Sequence, residues 1–180
     1  VYDVLPRQAK GTISVTGFYL MKNFKAGIFR FDHRALVQKS SNEEVVPLPL
    51  VSGQAAYYLD FMMVRNVLQM QVGLSGFFHT EYYAPGYNPA LMQFHNQNLN
   101  TPAYNEETKS YTQDIEKPKK IGNYPYIDFF VAAKWKRMRI LAKLQHVNQD
   151  LFGTQAYFGA LHYPLNRRVF KLGISWSFYD

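Results

Sequence analysis

Apolar and polar side chains alternate over long stretches of the chain, most clearly at its end. There, Phe170, Leu172, Ile174, Trp176 and Phe178 occupy every second position, and mostly polar or small residues lie between them. Because successive side chains of a β-strand point to opposite faces, this period predicts a strand with one apolar and one polar face.

The same alternation recurs upstream, and no segment shows the period of an amphipathic helix. In the first predicted strand, Tyr19 and Met21 are expected on the apolar face, whereas Phe18 and Leu20 fall on the polar face. In the second, His33 interrupts the apolar face. The pattern predicts seven strands, at 12–22, 25–38, 54–64, 67–83, 124–136, 138–150 and 168–179.

Short and long connections alternate strictly between these strands. Bacterial outer-membrane barrels have this asymmetry, with short turns on the periplasmic side and longer loops outside the cell. The short connections are polar and fit tight hairpin turns, at Lys22-Asn23, Arg65-Asn66 and Lys136-Arg137. The long connections span 39–53, 84–123 and 151–167.

The composition narrows the classes of protein that fit this pattern. The 180 residues include 14 Tyr, 14 Phe and 2 Trp, and only 18% are charged, whereas about 25% is usual in soluble domains. Without Cys, neither a disulfide nor a thiolate metal site can form. The net charge of +7 raises nucleic acid as a partner, but the basic residues are interleaved with apolar ones, so none is expected.

A soluble β-barrel or sandwich that binds a ligand would also alternate, and three features favour a membrane barrel over it. The predicted strands exceed the roughly 5–6 residues typical of soluble strands and reach the roughly 9–11 that a membrane-spanning strand requires. Aromatic residues gather near the strand ends, where amphipathic rings lie at the level of lipid headgroups. Charged side chains lie in mid-strand, where a membrane barrel would point them into its lumen.

These features predict an all-β fold, an antiparallel transmembrane β-barrel in the outer membrane of a Gram-negative bacterium, in contact with its lipid. The side chains expected to line the pore are Arg30, Asp32, Arg34, Asp60, Asp128, Lys134, Lys143 and Lys171. Those expected to face lipid are Phe29, Phe31, Leu74, Phe129, Val131, Ile174 and Trp176.

Six short stretches follow one another in order between residues 46 and 180. They are Val46-Pro47-Leu48-Pro49 with Val51-Ser52-Gly53, Tyr82-Tyr83-Ala84-Pro85-Gly86-Tyr87-Asn88-Pro89, Ile121-Gly122-Asn123-Tyr124-Pro125-Tyr126-Ile127-Asp128, His146-Val147-Asn148-Gln149, His162-Tyr163-Pro164, and the ending Leu172-Gly173-Ile174-Ser175-Trp176-Ser177-Phe178-Tyr179-Asp180. In this order and spacing they resemble the putative porin family of outer-membrane proteins of the Bacteroidota. The resemblance implies a barrel that passes small hydrophilic solutes passively.

The aromatic residues at the end of the chain resemble a second family feature. Trp176, Phe178 and Tyr179 are similar to the C-terminal signal that the barrel-assembly machinery recognises, which would make that machinery a partner during biogenesis. Asp180 departs from the pattern because the last residue is not aromatic. Alternatively, Phe178 simply ends the apolar face of the last strand.

No catalytic constellation is evident in the sequence. The five His residues have no metal-ligand spacing, and neither a nucleophile elbow nor a phosphate-binding loop occurs. We therefore expect no enzyme, no cofactor and no metal site, although a hydrolase site assembled from distant strands stays open. Two further alternatives are a non-conducting barrel, acting as a structural or accessory subunit beside other outer-membrane subunits, and the soluble binder.

The strand count predicts that residues 1–180 are one domain, the C-terminal part of a larger barrel. Bacterial single-chain barrels close with an even number of strands, and the pattern predicts seven. A barrel of about eight strands is already filled by its own side chains, and this one would have to hold charged residues inside. We therefore expect an open, curved sheet whose first and last strands do not pair.

Overall fold

The computed structural model describes residues 9, 11–97, 118–151 and 157–178. These residues form β-strands, turns and loops without a helix, and the predicted all-β fold is confirmed. Within this part of the chain there is no helix long and apolar enough to cross a membrane. The strands are β1 (Val15–Ala26), β2 (Phe29–Ser40), β3 (Val51–Val64), β4 (Leu68–His79), β5 (Gly86–Asn88), β6 (Gln93–His95), β7 (Tyr126–Trp135), β8 (Met138–Gln145), β9 (Phe158–Ala160), β10 (Tyr163–Pro164) and β11 (Val169–Trp176).

Seven of these strands form one antiparallel meander in the order β1-β2-β3-β4-β7-β8-β11. They are the seven strands that the alternation predicts. The first and last strands, β1 and β11, are the two edges and do not pair with each other, so the sheet is open as expected. The other four strands form two small hairpins, β5 with β6 and β9 with β10, within the long connections.

Two of the three predicted turns are confirmed, and the first is wrong. Arg65-Asn66 and Lys136-Arg137 connect β3 to β4 and β7 to β8, with Asn66 and Lys136 at positive φ. Lys22-Asn23 lie inside β1, and the chain turns at Gly27-Ile28. Gly27 has a φ of 61°, which glycine adopts at little steric cost and a two-residue hairpin requires.

The displaced turn also reverses the expected faces of β1. Tyr19 and Met21 lie opposite Leu36 and Arg34 of β2, on the charged face of the sheet. Phe18 and Leu20 therefore lie on the apolar face, contrary to expectation. Residues 18–21 are four large apolar residues in succession, so their polarity does not distinguish the faces, and the hairpin register decides.

One face of the sheet is apolar and uncovered. A row of paired residues crosses all seven strands on this face: Phe24, Phe31, Tyr57, Leu74, Phe129, Leu144 and Phe170. Even in the middle of the sheet these side chains are open, with Tyr57 48%, Leu74 46% and Phe129 38% exposed. Among the described residues, only Ala84, Ile121 and Tyr126 are buried apolar residues. No second layer packs on this face within the part of the chain described.

The opposite, concave face carries the charged side chains of the sheet, together with apolar ones such as Phe77 and Phe130. It bears two hollows of about 450 Å³ and 310 Å³, and the smaller one is lined by Asp32, Arg34, Gln54, Asp128 and Lys143 among others. Such a distribution of side chains inverts that of a soluble sheet, in which the apolar face is the covered one.

Candidate functional site

The strand register places the predicted pore-lining residues together. All eight lie on the concave face, and all seven predicted lipid-facing residues lie on the apolar face. The arrangement follows from the alternation in β2, β3, β4, β7, β8 and β11, where sequence and register agree. Their roles in a pore and in lipid contact are predictions to be tested.

Three basic residues depart from this separation and lie on the apolar face: Lys22, His33 and Lys39. The Lys22 ammonium lies 5.6 Å from the ring of Phe24. His33 packs its ring edge-on against Phe24 and has its Nε2 atom 2.9 Å from the Tyr57 hydroxyl. The Phe24 ring thus lies against both Lys22 and His33, and Tyr57 adds a second aromatic neighbour to His33.

The concave face carries two cations that the sequence-based set omits, Lys25 and Arg139. Lys25 pairs with Arg30 in the shifted first hairpin, so the misplaced turn concealed it. Arg139 lies between the apolar residues Met138 and Ile140, so the alternation alone was sufficient to place it among the pore-lining residues. The concave face of the seven strands therefore has seven cations and three carboxylates: Lys25, Arg30, Arg34, Lys134, Arg139, Lys143 and Lys171 against Asp32, Asp60 and Asp128.

Each of the three carboxylates already has a partner. Asp60 lies 3.5 Å from the Arg30 guanidinium and accepts a 2.7 Å hydrogen bond from the Gln69 amide. Asp128 lies 2.7 Å from the Lys143 ammonium. Asp32 accepts a hydrogen bond from the Tyr58 hydroxyl at 3.1 Å.

Five of the seven cations have no such partner. Within the described residues, no side chain forms an ion pair or a hydrogen bond with Lys25, Arg34, Lys134, Arg139 or Lys171. Only two of the three carboxylates are in ion pairs, but the cations outnumber the carboxylates by seven to three, so the concave face has a positive electrostatic potential.

A glycine in the middle of the concave face lets two aromatic rings approach each other. Gly73 of β4 lies between Tyr58 of β3 and Phe130 of β7 in the register. The rings of Tyr58 and Phe130 lie 5.9 Å apart across it. A Cβ at Gly73 would overlap the Tyr58 backbone and its Cβ. The absence of a side chain here is a packing requirement.

A buried histidine forms hydrogen bonds that hold the long connections against one end of the sheet, the end opposite the short turns. His146, which directly follows β8, is fully buried. Its backbone N–H donates to an Asp128 oxygen at 2.9 Å. Its Nδ1 lies 2.9 Å from the Asn166 carbonyl and its Nε2 lies 2.8 Å from the Tyr124 hydroxyl. A carbonyl only accepts, so Nδ1 carries the hydrogen and, in the neutral ring, Nε2 accepts from Tyr124.

Asn148 extends this attachment to the start of β7. The residue is 2% exposed, its side-chain oxygen accepts from the backbone N–H of Ile127 at 3.0 Å, and its amide donates to the Pro125 carbonyl at 2.6 Å. Burial, followed by the hydrogen bond with Tyr157, raises the pKa of Tyr124, so this hydroxyl keeps its proton as a donor. The cluster is a structural anchor for the loops.

The aromatic residues near the chain end are exposed where the structure describes them. Trp176, the last residue of β11, is 57% exposed, and Phe178 is 78% exposed. Tyr179 lies outside the described residues. Their recognition by assembly machinery stays a prediction.

The described residues contain no group of three or more His, Asp or Glu placed to hold a metal ion.

A comparison with protein families gives a match over residues 2–180 to a family described as "Putative porin". Comparisons with curated proteins and with solved structures give no match.

Proposed function

The chain belongs to this putative porin family, and on that premise we propose that its sheet is part of an outer-membrane β-barrel whose lumen passes small hydrophilic solutes passively. The seven strands form one section of the barrel wall. The apolar face contacts lipid, and the concave charged face contacts the water in the lumen.

The separation of side chains between the two faces is the observation that carries this proposal. Leu74 and Phe129, in central strands, are 46% and 38% exposed although their neighbours on that face are apolar. In water the apolar side chains of this face would be unfavourable by about 25 cal/mol for each Å² left exposed. In a bilayer the same face meets hydrocarbon, and the penalty disappears.

The two open edges support a barrel with further strands. Each edge strand, β1 and β11, presents backbone N–H and C=O groups for which the described part of the chain provides no neighbouring strand. Within hydrocarbon each unsatisfied group costs several kcal/mol, so only a closed barrel is stable there. The lumen must also hold several unpaired cations in water, and about eight strands would leave no room for it. We infer a wider barrel, in which additional strands pair with both edges.

Electrical recording on the full-length protein tests the channel. Purified, folded protein inserted into planar lipid bilayers should produce stepwise current increments, whereas the same preparation unfolded by heat before insertion should produce none. Folded protein that inserts and never conducts would contradict the channel. That result would favour a non-conducting structural subunit.

A further inference from the structure

Four polar side chains lie next to one another at the short-turn end of the concave face. The register places Gln69 of β4 opposite Lys134 of β7, Lys134 opposite Arg139 of β8, and Arg139 opposite Ser175 of β11. We call Gln69, Lys134, Arg139 and Ser175 the rim row. We propose that the rim row binds the phosphate group of an anionic solute; this inference rests on the proposed channel.

The central pair of the rim row brings two positive charges together. Residues directly opposite each other in an antiparallel pair have Cβ atoms about 4.5–5.5 Å apart, and like charges there are destabilising. Lys136, in the adjoining turn, brings a further positive charge to this end of the sheet. An anion between Lys134 and Arg139 would turn this repulsion into two attractive contacts.

In the two other cross-strand pairs of cations on this face, a carboxylate of the protein offsets the charge repulsion. Lys25 lies opposite Arg30, which contacts Asp60 at 3.5 Å. Lys143 lies opposite Lys171, and Asp128 lies 2.7 Å from the Lys143 ammonium. Both pairs therefore have a carboxylate within the protein.

The rim row lacks a carboxylate of its own within the described residues. Asp60, the nearest along β3, already binds Arg30 and Gln69. Asp128 is six positions from Lys134 along β7, roughly 20 Å at the usual rise of a strand. The position that a carboxylate occupies at the other two pairs is therefore available to an anion from solution.

The donors in the row suit a phosphate group. Arg139 offers a planar fork that can bind two phosphate oxygens at once, and Lys134 adds a compact positive charge. Ser175 contributes a hydroxyl donor, and the second hydrogen of the Gln69 amide is not used by Asp60. A phosphate between Lys134 and Arg139 can accept from both cations, and Gln69 and Ser175 flank it on either side as polar neighbours.

Block of chloride current by inorganic phosphate tests the site in bilayers of phosphatidylcholine. Phosphate should reduce the current of the full-length channel with a saturable dependence on concentration. The double variant Lys134→Gln and Arg139→Gln should raise the half-blocking concentration about tenfold or more, the loss of a contact worth roughly 1.4 kcal/mol. The control, Arg34→Gln with Lys171→Gln, removes the same number of charges elsewhere on the concave face. It should change the half-blocking phosphate concentration less than about twofold.

Equal effects of the two double variants would overturn the site, because they would show a diffuse potential and no local binding. So would a current that phosphate does not block, and that result would leave the channel itself intact. If the protein does not conduct, titration calorimetry of phosphate against the folded protein in detergent decides the site separately, with the same two variants. Adding phosphatidylglycerol to the bilayer distinguishes a lipid phosphate from a dissolved one. The lipid should abolish the phosphate block if lipid headgroups occupy the rim row, and should leave the block unchanged if the row binds a dissolved solute.

Discussion

Gly73 illustrates how one missing side chain organises the concave face. Tyr58 and Phe130 close over it from the two neighbouring strands. We expect Gly73→Ala to destabilise the fold by about 1–3 kcal/mol, the usual cost of overpacking. Gly173 is a matched control on the same face, since a Cβ there meets nothing within 4 Å. Urea midpoints of the two variants in lipid vesicles check the difference, and equal midpoints would contradict it.

His146 is the residue on which the loop attachment depends. Replacement with Ala removes hydrogen bonds to Asn166 and Tyr124 as well as the ring that stacks on Tyr126. We expect a loss of about 2–4 kcal/mol, since the change leaves a cavity and buried partners unpaired. Faster proteolysis of the long connections on whole cells would reveal it. His95→Ala, which removes a contact with the adjacent Asn96 carbonyl and the packing of the ring beside Gly86, should have a smaller effect.

At the level of the strands, adjacent positions should respond in opposite ways to a charge. Leu74 and Ser75 are neighbours in β4 on opposite faces, and Ser75 lies opposite Asp128. Leu74→Arg should impair assembly, because a cation on the lipid side of a barrel costs about 2–4 kcal/mol at mid-membrane. Ser75→Arg should be tolerated. The fraction of heat-modifiable protein in outer membranes measures this, and equal damage at both positions would refute the assignment of the faces.

The alternation of turns and loops predicts the orientation of the strands. Asn66 lies in a short turn, and Met92, which is 80% exposed, lies in the long connection between β4 and β7. A membrane-impermeant maleimide applied to intact cells should label Met92→Cys and leave Asn66→Cys unlabelled. Labelling after cell lysis is the control that both cysteines are reactive. The reverse pattern on intact cells would invert the proposed topology.

For the molecule as a whole, the charge of the concave face predicts ion selectivity. Its seven cations exceed its three carboxylates, and the carboxylates are already bound. The reversal potential in a potassium chloride gradient should therefore indicate a preference for chloride. The preference should grow as salt falls, since the screening length increases from about 10 Å at 0.1 M to about 30 Å at 0.01 M. Clear cation selectivity in the intact protein would contradict this prediction.

Much of this architecture follows from the sequence because strand alternation is a local property. Each residue's own polarity places it in a period of two, so the number of strands and the face of Arg30, Asp128 or Ile174 could be predicted without knowing any partner. The turns at Arg65-Asn66 and Lys136-Arg137 could be predicted for the same reason, since polar residues interrupt the alternation there. The open meander followed from the count of strands.

Only the tertiary structure determined which residues lie opposite each other on neighbouring strands, and which face each residue of β1 occupies. Residues 18–21 are apolar throughout, so only the hairpin at Gly27 set the faces of β1 and exposed Lys25 on the concave side. The opposition of Lys134 and Arg139 likewise exists only once the register between β7 and β8 is known. Register is a property of paired strands: the turn and the neighbouring strand set it, and the polarity of either strand alone cannot.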